Sequence, residues 1–199
     1  MSTRPGQLVI VSGPSGAGKT TLLQRVFRDS ELPLVGSVSA TTRKPRPGER
    51  DGVDYHFLSP EEFARRRQQG DFLESCEVFG QGDWYGTLRD EVTPSLAAGK
   101  WVVLEIDVQG TREVLRHYPA ALTIFVEPGS LDELERRLRD RGTENPAALE
   151  RRLQVARREI QSIDIYRYRV VNDEIDRATR AICEILNQAS LQQVGDVSE

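Results

Sequence analysis

One stretch constrains this chain more than any other: residues 8–21, LVIVSGPSGAGKTT. Leu8, Val9, Ile10 and Val11 form an apolar, partly β-branched run, the pattern of a short buried strand. Residues 12–18 then bring three glycines and a proline, so the chain must turn. Beyond Lys19, Leu22, Leu23, Val26 and Phe27 recur at helical spacing, which predicts a helix from Lys19 to about Asp29.

Gly13, four residues, then Gly18-Lys19-Thr20 is the phosphate-loop (Walker A) pattern, placed between a strand and a helix where its chemistry requires it. Glycines allow unusual φ values and close approach of backbone to ligand. Successive N–H groups then point into one concavity that takes phosphate oxygens. The following helix adds unpaired N–H groups and the positive end of its dipole. Lys19 supplies a mobile charge for the outer phosphates, and Thr20 a hydroxyl for Mg²⁺. A plain Gly-rich turn with a solvated lysine is the alternative. The pattern implies a nucleotide polyphosphate site without saying what becomes of the phosphate.

A length of 199 residues suits one α/β domain with room for inserted subdomains. The net charge of −4 argues against a general polyanion binder, so nucleic acid is not an expected partner and any anion site must be built locally. No apolar run approaches the ~20 residues of a membrane span, and the first residues, MSTRPGQ, lack the hydrophobic segment of a signal peptide. No membrane association is expected, and the expected compartment is the cytoplasm. Cys76 and Cys183 lie far apart among apolar neighbours and suggest packing thiols rather than a disulfide or zinc site.

Residues 34–39 predict a second strand. The segment 37–57 does not resemble a core: hydroxyls are followed by Arg43, Lys44, Arg46 and Arg50 around two prolines. Arg43 and Arg46 can form a fork for a phosphate or carboxylate, with Tyr55 adding a hydroxyl. An exposed, solvated charged loop is the competing interpretation. Ser59-Pro60-Glu61-Glu62 opens a capped helix to about Gln69, ended by Gly70. Arg65, Arg66 and Arg67 point in successive directions around it and read as a solvated face. Residues 71–79 predict a strand in which Glu74 and Glu77 sit among apolar residues, and a partly buried carboxylate needs a partner. A short strand at residues 84–87 and a helix from Arg89 to Ala98 follow.

Residues 101–106, WVVLEI, form a second buried strand that ends at Glu105 and Asp107. An acidic residue in that place beside a phosphate loop suits Mg²⁺ or its waters. A short helix after Gly110 runs to His117, and residues 122–126 give a further core strand. Strands separated by helices predict a parallel α/β sheet. Residues 131–141 and 147–160 predict two charged helices interrupted by Gly142, Asn145 and Pro146. Arg137 and Arg141 share a face there, opposed either by an anionic ligand or by the neighbouring Asp132, Glu133, Glu135 and Asp140. Lid and plain surface hairpin both fit this pattern. A last strand at 168–171, a helix at 175–189 and a frayed end complete the expectation.

SGPSGAGKTT, SVSATTRKPRPGERDGVDYHF, DFLESCEVFG, WYGT, LEIDVQG, RLRDRGTE and VVND occur in this order. With them, residues 7–186 resemble the guanylate kinases. The resemblance implies an α/β fold: a three-layer P-loop core with a parallel sheet (1–36, 91–130, 154–190), an inserted GMP-binding α+β region (37–90), a helical lid (131–153) and a tail (191–199). The implied reaction is ATP with GMP, or dGMP, giving ADP and GDP, with Mg²⁺, within purine metabolism. Matching motifs would place Ser39, Arg43, Arg46, Tyr55, Glu74, Tyr85 and Thr87 around GMP: Arg43, Arg46, Tyr55 and Tyr85 on its phosphate, and Glu74 with Ser39 and Thr87 on guanine. Gly13, Pro14, Ser15, Gly16, Ala17, Gly18, Lys19 and Thr20 would hold the phosphates of ATP, and Asn172 would lie near adenine. Arg137, Arg141 and Arg152 match lid arginines. Glu105 and Asp107 match an acidic pair beside GMP and the magnesium shell.

A carboxylate at Glu74 has independent chemical sense, because it accepts from the N1–H and amine of guanine, whereas adenine turns a lone pair toward it. The chain departs from the family in a longer turn, Gly80-Gln-Gly-Asp, and in Trp84 before Tyr85-Gly86. Two rivals stand beside the GMP kinase: a guanylate-kinase-like interaction module, which lacks a working P-loop, and a P-loop kinase with another acceptor. The sequence leaves monomer and homo-oligomer open.

Overall fold

In chain order the elements are β1 (Gln7–Ser12), α1 (Lys19–Asp29), β2 (Leu34–Gly36), β3 (Ser39–Thr41), β4 (His56–Phe57), α2 (Pro60–Gln69), β5 (Phe72–Glu77) and β6 (Trp84–Leu88). They continue with α3 (Arg89–Ala97), β7 (Trp101–Glu105), α4 (Val108–His117), β8 (Leu122–Pro128), α5 (Leu131–Asp140), α6 (Pro146–Gln161), β9 (Tyr168–Asn172) and α7 (Ile175–Asp196). The structure is a computed structural model that describes residues 6–77, 82–140 and 146–196. The expected α/β architecture holds: a parallel central sheet runs in the order β2-β7-β1-β8-β9, and a four-stranded sheet in the order β4-β3-β6-β5. Two compact units share the chain, Met1–Val9 with Val35–Ala121, and Ile10–Leu34 with Leu122–Glu199.

The first unit carries the four-stranded sheet. Ser59 starts α2 by accepting the Glu62 N–H at 3.1 Å, and Gly70 ends it in the left-handed conformation at φ 77°. Phe63 of α2 stacks on Phe72 of β5, ring centroids 4.5 Å apart, over a core of Ala40, Phe63, Phe72 and Leu88. β7 is buried through Leu104 and delivers Glu105 at its exposed end.

The second unit carries the glycine loop. β8 and β9 pair in parallel, with Val126 opposite Val170 and Pro128 opposite Asn172. Phe125 packs on Tyr166. Leu134 and Leu138 of α5 join Leu153 and Ala156 of α6 in one buried cluster, so this helical pair has its own apolar seam.

Three expectations change. The single strand expected at 34–39 is two strands in two sheets, because the chain leaves β2 at Gly36 and the Ser37 N–H bonds the Val103 carbonyl at 3.1 Å. α4 begins two residues before Gly110, because the Asp107 carboxylate caps it by accepting the Gly110 N–H at 2.8 Å. α7 continues past Ala189 to Asp196, through residues that include no proline to stop it.

Candidate active site

In the second unit the glycine loop is held by its own geometry. Gly13, Gly16 and Gly18 take φ of 144°, 94° and 80°, which side-chain-bearing residues rarely adopt. Space explains the rest. A Cβ at Gly13 would lie 2.1 Å from the Val126 carbonyl oxygen, one at Gly16 2.9 Å from Leu134, and one at Gly18 2.7 Å from the Asn172 amide. The loop therefore presses on β8, α5 and the end of β9. The Ala17 N–H closes a turn on the Pro14 carbonyl at 3.0 Å. Lys19 Nζ donates to the carbonyls of Gly13 at 2.6 Å and Pro14 at 3.1 Å, which places its charge over the loop.

Asn172 is buried, and its amide donates to the Ala17 carbonyl at 2.7 Å. It thus braces the loop from beneath. A cleft of about 520 Å³ opens beside it, lined by Gly16, Gly18, Thr21, Arg137, Asn172 and Asp173. That volume falls in the range of small-ligand pockets. Arg137 reaches this cleft from α5 while paired with Glu133 one turn earlier. Arg152 lies half-buried on α6. Arg141 lies outside the described residues, as do residues 78–81, the end of the strand expected at 71–79 and the first half of the turn expected at 80–83.

Thr20 is exposed in the first turn of α1, and its hydroxyl is a hard oxygen donor of the kind Mg²⁺ takes. Among the described residues no group of three His, Cys, Asp or Glu stands together to hold a metal. The Thr20 hydroxyl would suit one position around a magnesium ion, the other positions falling to water and phosphate oxygens.

In the first unit the second group of candidates is set by strand register. Ser39 of β3 pairs with Thr87 of β6, and Thr87 pairs with Glu74 of β5. Paired residues share a sheet face, so these three form one row. Thr41, Tyr85 and Cys76 form the next row on the same face. Glu74 owes its place to a β-bulge between Phe72 and Glu74. Without that extra residue it would oppose Gly86 and turn to the other face.

The Glu74 carboxyl is 3% exposed and accepts the Thr87 hydroxyl at 2.7 Å. Burial pushes its pKa up to about 7; the Thr87 bond opposes this, and the charges of Asp107 and Glu113 add to it. Gly110 makes room for it, since a Cβ there would lie 2.8 Å from Oε2. Glu77 faces the other way, is exposed, and accepts the Gly82 N–H. Asp107 is committed to capping α4, with the Cys76 thiol donating to its second oxygen at 3.4 Å. Burial raises the Cys76 pKa, so this thiol stays protonated.

Arg43 lies beside Tyr85 and Tyr55. Its Nε donates to the Tyr85 hydroxyl at 3.1 Å, and its guanidinium carbon lies 5.3 Å from the Tyr55 ring centre. The Tyr55 phenol is raised above its ordinary pKa by burial and by the nearby Tyr85 and Glu105. Sequence reasoning missed Glu49, which grips Arg43 with both oxygens at 2.9 and 3.0 Å. Its position six residues after Arg43 in the charged loop was the available signal. Arg46 is exposed, and its backbone is held at Glu49: its N–H donates to the Glu49 carboxylate at 2.7 Å and its carbonyl accepts the Glu49 N–H at 3.1 Å. The charged loop is therefore ordered around Arg43 rather than simply solvated.

Comparisons with known proteins match nearly the whole chain. The guanylate kinase family model matches residues 5–189. A guanylate kinase from Rhodopirellula baltica is 55% identical over 187 residues, 93% of this chain and 89% of that protein. One from Hahella chejuensis is 46% identical, covering 95% and 91%. The crystal structure of guanylate kinase from Anaplasma phagocytophilum superposes with a TM-score of 0.74 at 32% identity, over 94% of this chain and 87% of that one.

Proposed function

Because this chain belongs to the guanylate kinase family, we propose how its residues divide the work of moving the γ-phosphoryl group of ATP to GMP. The chain is an ATP:GMP phosphotransferase, giving ADP and GDP. Phosphoryl transfer needs in-line alignment, charge neutralisation and exclusion of water rather than covalent help.

On this reading Gly13 to Thr20 hold the phosphates of ATP by backbone N–H groups, and Lys19 leaves the loop carbonyls for the transferring group. Asn172 stands at the adenine end. Arg137, Arg141 and Arg152, carried on a lid at 131–153, supply the remaining positive charge. The lid closes only when both nucleotides are bound, since water would otherwise take the phosphoryl group. Thr20 would hold Mg²⁺ by its hydroxyl, and the ion would supply charge neutralisation on the phosphates.

In the acceptor region, 37–90, Arg43, Arg46, Tyr55 and Tyr85 receive the GMP phosphate. Glu74, with Ser39 and Thr87, reads guanine, and Glu105 and Asp107 stand near GMP and the magnesium shell. The assigned contacts go to base and phosphate, so we extend the reading to dGMP. We place the enzyme in the cytoplasm, in purine nucleotide metabolism, acting without nucleic acid. Among the described residues no helix is long and apolar enough to cross a membrane.

The observation that carries the acceptor assignment is the row Ser39–Thr87–Glu74, a buried carboxyl beside the Thr87 hydroxyl with the Ser39 hydroxyl next in line. The test is ADP release with GMP, AMP, CMP and UMP as acceptors. GMP should be preferred over AMP by about 10⁴ in kcat/KM, the scale at which sites built on buried hydrogen bonds reject the wrong partner. Comparable use of AMP would remove Glu74 from the guanine site.

A further inference from the structure

Arg43 makes four side-chain hydrogen bonds, and its engagement has a direction. Glu49 takes the end of the guanidinium, Oε1 facing Nη2 at 2.9 Å and Oε2 facing Nη1 at 3.0 Å. The Lys44 carbonyl takes a second Nη1 hydrogen at 2.7 Å, and the Tyr85 hydroxyl oxygen takes Nε–H at 3.1 Å. A guanidinium has five N–H donors. Four are spent on these partners; the fifth is on Nη2, along the edge where Nε meets Tyr85. Tyr85, accepting from Nε, keeps its own O–H to donate. One lateral edge of Arg43 therefore presents two neighbouring donors, Nη2–H and the Tyr85 O–H.

We propose that Glu49 is a positioning residue for the acceptor phosphate. It locks the end of the Arg43 guanidinium, so that the lateral edge shared with Tyr85 faces the incoming phosphate before that phosphate arrives. Its Oε2 also accepts the Arg46 N–H at 2.7 Å, so one carboxylate sets the backbone that carries the second arginine. The Arg43 side chain is 14% exposed and that of Glu49 19%, so water competes weakly for the pair. A guanidinium held in its bound orientation loses less freedom on binding, which appears as affinity. The same geometry admits an opposite role, in which Glu49 occupies Arg43 as a stand-in anion that GMP must displace. That role predicts the opposite sign of effect. The bond from the Arg46 amide and the Tyr85-lined edge left open beside the pair both favour positioning.

This inference rests on Arg43 and Tyr85 receiving the GMP phosphate. The test is steady-state kinetics of the full chain with Glu49→Gln, Arg43→Ala and the double variant, with thermal melts to confirm folding. Glu49→Gln should raise KM for GMP about tenfold, as for loss of a hydrogen bond to a charged group, with kcat and KM for ATP changed far less. In the Arg43→Ala background Glu49→Gln should add nothing, because the residue acts through Arg43. Glu49→Asp keeps the charge but is too short to reach both arms, so it should fall between, and it serves if Glu49→Gln fails to fold. A fall in KM would establish the displaced-anion role instead. An equal penalty in both backgrounds would reduce Glu49 to a loop-stabilising residue. If Arg43→Ala alone leaves KM for GMP unchanged, the phosphate assignment itself fails and this inference with it.

Discussion

The two regions proposed to hold nucleotides are built from different materials. The glycine loop works through main chain: three positive-φ glycines, a turn closed by Ala17 on Pro14, and neighbours pressed against each Cα. The acceptor region works through side chains that meet only because three strands align: Ser39, Thr87 and Glu74 in one row, Thr41, Tyr85 and Cys76 in the next. A main-chain site is intolerant of atoms added to its glycines. A side-chain site is sensitive to the register that gathers it and to the charge its burial suppresses. The difference separates what each region needs from its sequence, a short contiguous pattern in one case and distant residues in phase in the other.

The largest expected effect tests the main-chain half. In Gly13→Ala the new Cβ would meet the Val126 carbonyl at 2.1 Å, in a strand that cannot yield, at a φ that disfavours alanine. We expect a loss of at least about 3 kcal/mol in denaturant unfolding, the range of severe core clashes, together with loss of ATP use. Gly52→Ala, at φ 71° with nothing within 4 Å, isolates the conformational cost alone and should lose only about 1 kcal/mol. Similar losses for the two would refute the view that contact with β8, rather than loop flexibility, is what Gly13 provides.

A second prediction tests the side-chain half through charge. On the proposed reading guanine's N1–H and amine need Glu74 as a carboxylate, but burial holds its pKa at about 7 in the free protein. Below pH 7, kcat/KM for GMP should therefore fall toward tenfold per pH unit, reporting the free enzyme. The groups facing Glu74 are Thr87, Asp107, Glu113 and the protonated Cys76 thiol, so no described cation offsets the shift. The sign for stability is opposite. A carboxyl whose pKa rises on folding binds its proton more tightly when folded, so this contribution is present at low pH and is lost as pH rises through 7. Moving from 4.5 to about 7 corresponds to about 3 kcal/mol at most. Glu74→Gln should thus melt no lower than the parent at pH 8 while losing GMP use. A GMP profile flat from pH 8 to 6 would show that the carboxyl is already ionised before guanine arrives.

The contrast also accounts for what could be read in advance. Gly13, Gly18, Lys19 and Thr20 are contiguous, and their strand–loop–helix context lies in the same fourteen residues, so the loop was legible. Glu74 was legible as a carboxylate in an apolar strand, but the bulge that turns it toward Thr87 leaves no mark in residue type. Glu49 was visible as a carboxylate in the charged loop, but its pairing with Arg43 was not, because no periodicity applies across a loop. Gly110 was hidden for another reason: it yields space to a carboxylate 36 positions earlier in the chain, and only folding brings them together. The division at Gly36, which sends one apparent strand into two sheets, was likewise set by the partner Val103 rather than by local pattern.

The smallest expected effect concerns Trp84, which precedes Tyr85 on β6. Trp84 neighbours Tyr85, so it points to the opposite face, toward Phe63 and the core that includes Phe72 and Leu88. Its backbone is fixed independently of its ring: its N–H bonds Thr42 Oγ1 at 2.9 Å, and its carbonyl accepts Thr41 Oγ1 and the Thr42 N–H, both at 3.0 Å. Arg67 is exposed as expected for a solvated face, yet its guanidinium lies over the Trp84 ring, 4.2 Å from the centre. An exposed cation–π contact contributes about 0.5–1 kcal/mol, so Arg67→Ala should lower unfolding free energy by about that much. KM for GMP should not move, because the ladder and not the stacked ring sets the positions of Tyr85 and Thr87. A shift of several-fold in KM would mean that the core face of this sheet also tunes its ligand face, and the separation drawn between the two would have to be given up.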